Sequence, residues 1–280
     1  MPTELPGRPF SALIFEPEGT CIAVIDGHEI WRRAVSGVWV NLATSPTSLQ
    51  SVASMGGILF GGGMEEASIV RITGDGRSEH LTGFDLCPGR QQWFAGGPPL
   101  GVRSLTATAD GAAIIAAVHV GGLPRSIDGG ATWRPSVPIR FDVHEVRAHP
   151  TRANVVAAAA AVGLCVSNDG GETWAVISEG LGLKNSLALA VLQEEVLFTI
   201  CDGPFAKRHK SGAGRSASHA SSRCETGFLN GWTVRSTPRR WHPAATAPPS
   251  STEAATSGCQ TRAQWAGESL LPGSLTPLEW

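Results

Sequence analysis

The chain has 280 residues, no tyrosine and a formal net charge of −2, which conceals two unlike parts: residues 1–203 carry 20 acidic and 13 basic side chains (net −7), residues 204–280 carry 4 and 9 (net +5). An acidic main body presents no clustered Lys/Arg face for phosphates, so nucleic acid is not an expected partner. No run of about 18 apolar residues occurs and the first ten residues hold no apolar leader, so no membrane partner is expected and the chain reads as soluble and cytoplasmic.

In chain order, short β-branched and apolar runs broken by turn residues predict strands in groups of four. The first group covers 10–15, 21–25, 29–33 and 38–42, and the second 49–53, 58–61, 68–72 and 78–81. Residues 83–100, with Pro88, Pro98 and Pro99, read as an insertion of the kind that lies on the surface beside a site. The third group covers 103–108, 113–119, 123–127 and 132–136, and the fourth 144–149, 154–161, 164–168 and 173–177. A fifth begins with 186–192 and 196–201 and then stops.

The third and fourth groups are copies. Residues 105–133 align without gaps on 146–174, an offset of 41. Gly122-Leu123 falls on Gly163-Leu164, and Ser126, Asp128, Gly129, Gly130, Thr132 and Trp133 fall on Ser167, Asp169, Gly170, Gly171, Thr173 and Trp174. This register also makes the alanine run 157–161 a strand, against its helical propensity, because it aligns with 113–118. A period of about 41 residues with four strands is the length of one propeller blade.

From Pro204 the composition changes: Val234 is the only Val or Ile in 77 residues, and Ser, Thr, Ala, Pro and Arg dominate. No strand ladder is expected there, so the chain divides into blades over 1–203, about four and a half of them, and an irregular tail over 204–280, either disordered or translated out of frame. The halt of the fifth group after two strands favours the frameshift.

Both copies end in Ser-x-Asp-x-Gly-x-Thr-Trp, at 126–133 and 167–174. The physical logic is a hairpin whose Asp accepts backbone N–H groups, whose glycines supply positive φ and whose Trp packs beneath. The motif resembles the Asp-box, or bacterial neuraminidase repeat, of the sialidase-like superfamily. The resemblance implies an all-β propeller with six or seven blades in a complete relative, and a structural, peripheral role for Ser126, Asp128, Gly130, Trp133, Ser167, Asp169, Gly171 and Trp174. It also resembles bacterial propellers described as glycosyl-hydrolase-like without a demonstrated reaction.

Chemistry is less legible. Sialidases of that superfamily use a Tyr nucleophile, which this chain lacks. Glycosidases of the Asp-box xyloglucanase type use two carboxylates across a cleft; Asp26, Glu29, Asp142, Glu145 and Asp202 are candidates, and spacing selects no pair. The repeat register does single out Arg103, His144 and Asn185, which recur at one position before the innermost strand of three blades. With Asp142 they form a candidate channel-mouth site for an anion or sugar hydroxyls. The six cysteines show no metal-ligand spacing, so no metal site and no cofactor are expected. The resulting expectation is a non-catalytic binding or scaffold propeller for an unknown small molecule, glycan or protein, with a two-carboxylate glycoside hydrolase as the alternative.

Overall fold

The computed structural model describes residues 7–16, 18–94, 99–177, 183–193 and 195–203, together with the strand segments 209–210, 227–229, 232–235 and 261–265. Its elements are almost all β, arranged as four-stranded antiparallel meanders. The first blade comprises β1 (Phe10–Phe15), β2 (Cys21–Ile25), β3 (Glu29–Arg33) and β4 (Trp39–Thr44). The second comprises β5 (Leu49–Met55), β6 (Ile58–Gly63), β7 (Ile69–Ile72) and β8 (Ser78–His80). A short helix, α1 (Thr82–Asp85), and a 3₁₀ turn (Arg90–Gln92) follow within the insertion. The third blade is β9 (Val102–Ala107), β10 (Ile114–Val118), β11 (Pro124–Ser126) and β12 (Arg134–Pro135). The fourth is β13 (Val143–Ala148), β14 (Val156–Ala160), β15 (Gly163–Ser167) and β16 (Ala175–Ile177).

Burial explains why these sequences are strands. β2, β10 and β14 are buried along their whole length; β10 and β14 are second strands covered by neighbouring sheets on both faces, whereas β2 has the second blade on one face and Trp31 and Trp39 of its own blade against Ala23 and Ile25 on the other. The alanine run shows the consequence. Ala157 and Ala159 pack with Leu189, Val196 and Phe198 of the fifth blade, whereas Ala158 and Ala160 pack with Ile115 and Ala117 of the third. Pairing on both edges and burial on both faces override helical propensity. Separate apolar clusters fill the successive blade interfaces, and the first strands β1, β5, β9 and β13 lie side by side around the axis.

Side chains of the first strands also tie each blade to the next. Ser51 Oγ donates to the Val102 carbonyl (2.7 Å), Ser104 Oγ to the Val146 carbonyl (3.0 Å), and Glu145 accepts the Leu189 N–H (2.8 Å). Ser186 occupies the same register position in the fifth blade. Its hydroxyl is buried and has no hydrogen-bond partner among the described residues.

The insertion is packed against the third blade. Phe84 meets Trp133 edge-on (5.0 Å between centroids) and Trp93 at 5.4 Å, and Arg90 lies 4.9 Å from the Trp93 ring and 5.6 Å from that of Phe84. A cation over two aromatic faces gives this segment a defined seat.

The fifth blade begins with β17 (Leu189–Val191) and β18 (Glu195–Phe198), followed by β19 (Ile200–Cys201). Beyond Pro204 the sequence predicts no ladder, but short strands are present: β20 (His209–Lys210) pairs with β19, while β21 (Gly227–Leu229), β22 (Trp232–Arg235) and β23 (Thr261–Trp265) join the fifth sheet in the order β17-β18-β23-β22-β21. The pairing of Val196 with Ala263 spans 67 residues, and such non-local pairing leaves no local propensity signal to read. Most of 204–280 lies outside the described residues, so the boundary at 203 and the disordered or out-of-frame readings stay expectations.

Candidate functional site

The two repeated hairpins are held as the motif requires. Asp128 accepts from Ser126 Oγ (2.8 Å), from the Thr132 N–H (2.9 Å) and from the Thr132 hydroxyl. Asp169 accepts from Ser167 Oγ (2.8 Å), from the N–H groups of Glu172 (3.0 Å) and Thr173 (2.9 Å), and from the Thr173 hydroxyl. Burial pushes both carboxyls up, but these hydrogen bonds outweigh it and hold both below the ordinary carboxylate range. Gly130 and Gly171 adopt φ of +90° and +85°, and the Trp133 and Trp174 indoles donate back to their carbonyls at 3.0 and 3.1 Å. Ser126, Ser167 and both tryptophans are buried in turns between the third and fourth strands, so these groups are committed to the hairpins.

The residues expected at a channel mouth share a backbone origin. In each of the first four blades the pairing of first and second strands skips one residue on the first strand, the signature of a β-bulge. The skipped residues are Ser11, Gln50, Arg103 and His144. Sequence reading found the last two and missed Ser11 and Gln50, which the 41-residue offset does not reach across the insertion. Their signal is the shared context of Leu49-Gln50-Ser51, Val102-Arg103-Ser104 and Val143-His144-Glu145.

Between the third and fourth blades the bulges bring charges together. Arg103 Nη1 lies 3.3 Å from Asp142 Oδ1, and His144 Nε2 lies 3.3 Å from Asp142 Oδ2. His144 Nδ1 is 2.7 Å from the Ser186 carbonyl of the fifth blade. His119, after β10, is held by a 3.2 Å contact of Nδ1 to the Pro99 carbonyl and acts electrostatically on Asp142. Asp142 is held below the ordinary range chiefly by its hydrogen bond to His144, against burial and with help from the His144, Arg103 and His119 charges. Burial pulls the Arg103 pKa down, opposed by Asp142. The insertion borders this cluster, since the Phe94 N–H donates to the carbonyl of Val120, a β-branched residue at φ +47° in the turn after His119.

Asn185 does not join the cluster. It is buried, exchanges backbone hydrogen bonds with Cys201, and its Nδ2 lies 3.2 Å from Cys201 Sγ. The other carboxylate candidates are dispersed. Asp26 and Glu29 share Arg8, and the Trp31 indole also donates to Glu29, whose carboxyl is held low mainly by the Arg8 hydrogen bond. Glu145 pairs with Arg147 (2.5 Å) as well as the Leu189 N–H. Asp202 follows β19 and has an interaction partner of its own.

A cavity of about 960 Å³ lies toward the opposite end of the first strands, its lining including Glu16, Arg32, Ser54, Glu145, Arg147 and His149. Glu16 accepts from Thr20 Oγ1 (2.7 Å) and Ser54 Oγ (2.8 Å), and Arg32 Nε, 3.7 Å from Glu16, is buried without a hydrogen-bond partner among the described residues. His149, fully buried, spends Nε2 on the Gln193 carbonyl (2.9 Å) and Nδ1 on the N–H groups of Thr151 and Arg152. Among the described residues no group of three or more His, Cys, Asp or Glu is placed to hold a metal ion, and no helix is long and apolar enough to cross a membrane.

No family model and no curated protein matches the chain. Among solved structures it is similar to a GH74 enzyme of Niastella koreensis (16% identity, TM-score 0.52, covering 73% of this chain and 35% of that one). It is also similar to the GH74 xyloglucanase of Xanthomonas campestris (18%, 0.52, 82% and 42%) and to the WD40 propeller domain of Doa1 (14%, 0.50, 82% and 75%). The chain therefore spans less than half the length of either glycoside hydrolase. Identities this low speak to architecture alone. Four-stranded antiparallel blades, bulged first strands around a common axis and this set of neighbours make the fold a β-propeller.

Proposed function

We propose that this protein is a non-catalytic binding or scaffold propeller that takes its ligand at the Arg103–Asp142–His144 cluster, and that its two hairpins are Asp-boxes of the sialidase-like superfamily. The supporting observation is the state of Asp142. A general acid for glycoside cleavage must hold its proton near neutral pH, whereas Asp142 is kept ionised by a histidine and an arginine. An ionised carboxylate between an arginine and a histidine orients donors for recognition. The likeness to GH74 enzymes keeps the two-carboxylate hydrolase as the second reading, with Glu145 the carboxylate candidate that lines the cavity.

The test is a ligand panel of neutral oligosaccharides, carboxylated sugars and acidic peptides, followed by NMR at the imidazoles of His144 and His119, with chromatography of each ligand afterwards. Binding that shifts the His144 resonance and returns the ligand intact supports the proposal. Release of reducing sugar from any glycan overturns it.

A further inference from the structure

We infer that Arg103 and His144 form an oxyanion site, for a carboxylate or a phosphate- or sulfate-type group, and that the proton on His144 switches it on. The inference rests on the binding reading above and adds to it the chemical class of the ligand and the control of its binding.

The first argument is the donor inventory. A guanidinium presents five N–H donors in a planar fork suited to two oxygens of one oxyanion. Among the described residues the hydrogen-bond partner of Arg103 is Asp142 alone, through one long contact of 3.3 Å from Nη1. Its side chain is 24% exposed, so the remaining donors are neither fully hydrated nor spent on protein. Burial destabilises this cation, and an incoming anion relieves that cost.

The second argument is the proton count on His144. Nδ1 faces the Ser186 carbonyl at 2.7 Å and Nε2 faces the Asp142 carboxylate at 3.3 Å. Both partners are acceptors. A neutral imidazole has one N–H, so it leaves a lone pair against one of them, while the imidazolium satisfies both. With that proton the trio of Arg103, Asp142 and His144 carries one net positive charge; without it, none. Around the same cluster, among the described residues, the fifth blade contributes an uncharged carbonyl, with Lys184 exposed two residues earlier, and the third blade contributes Arg103 and a second histidine, His119, both acting on Asp142, so a His119→Asn variant separates the two imidazoles. The position on the bulge supports the same conclusion, since a bulge turns its extra side chain out of the regular alternation of the strand.

The probe is inorganic sulfate, whose charge is constant over the range in which histidine titrates, so any pH dependence belongs to the protein. Calorimetric titration of the full chain at about pH 5.5 and about pH 8 is expected to show affinity falling on the order of tenfold with loss of one favourable charge. His144→Asn keeps an N–H for the Ser186 carbonyl but cannot be protonated; it should bind at the weaker level at both pH values. His119→Asn should keep the pH dependence, and Arg103→Gln should abolish sulfate binding. Independently of folding in the variants, sulfate should raise the midpoint of the His144 imidazole titration in the unmodified protein, by linkage. Equal affinity at both pH values, or a pH dependence that disappears in His119→Asn, overturns the His144 switch while leaving a binding site. No sulfate binding at either pH, with a neutral ligand from the panel still shifting the His144 resonance, overturns the oxyanion class alone.

Discussion

Asp169→Ala removes one carboxylate that organises the hairpin between β15 and β16. That carboxylate accepts the N–H groups of Glu172 and Thr173 and the hydroxyls of Ser167 and Thr173. A hydrogen bond to a charged group contributes about 1.5–3 kcal/mol when its donor cannot reach water. At this exposed turn the freed donors of Glu172 and Thr173 regain water, so each bond is worth about 0.5–1 kcal/mol, and four together about 2–4 kcal/mol. With a urea dependence near 2–3 kcal/mol per M for a chain of this size, the midpoint should fall by about 1 M. Equilibrium urea unfolding measures it, with Asp169→Asn expected at roughly half the loss because the amide retains one acceptor oxygen. A midpoint for Asp169→Ala within about 0.2 M of the unmodified protein would refute the assignment of net stability to this hairpin.

Three further outcomes follow from the same geometry. Gly171→Ala should cost about 2–3 kcal/mol in urea unfolding, because φ is +85° and the added Cβ collides with Ile115 Cδ1, whereas Gly170→Ala, in a roomier left-handed position, should cost only about 1 kcal/mol. Ser104→Ala severs a blade-to-blade bond and should lose about 1–2 kcal/mol, while Ser186→Ala removes a buried hydroxyl without a partner and should be neutral or stabilising by calorimetric melting. Folded-state pKa values of Asp128, Asp142 and Asp169 lie below the ordinary carboxylate value, so their contribution is complete above about pH 4 and is lost as pH falls through the folded values. The melting temperature should therefore drop steeply below about pH 4, and less steeply in an Asp128→Asn, Asp169→Asn double variant.

The sequence alone determined the blades. Strands of the third and fourth blades recur with a 41-residue register, and that register makes the alanine run 157–161 a strand, which the structure forms as far as Ala160 because burial on both faces depends on position in the blade more than on residue type. The register also singled out Arg103, His144 and Asn185, with Asp142 beside them, as candidates, since residues at one repeat position take equivalent places in successive blades. Tertiary structure decided which groups those residues meet. Bulges, invisible in a linear pattern, add Ser11 and Gln50 to the ring. Pairing of Asn185 with Cys201 withdraws it, and the fold of the insertion brings His119 beside Asp142. Strand pairing beyond Pro204 likewise arises between segments more than sixty residues apart. Local runs of residues fix which segments extend and which face is buried; charge balance at the Arg103–Asp142–His144 cluster depends on distances between blades, which only their packing sets.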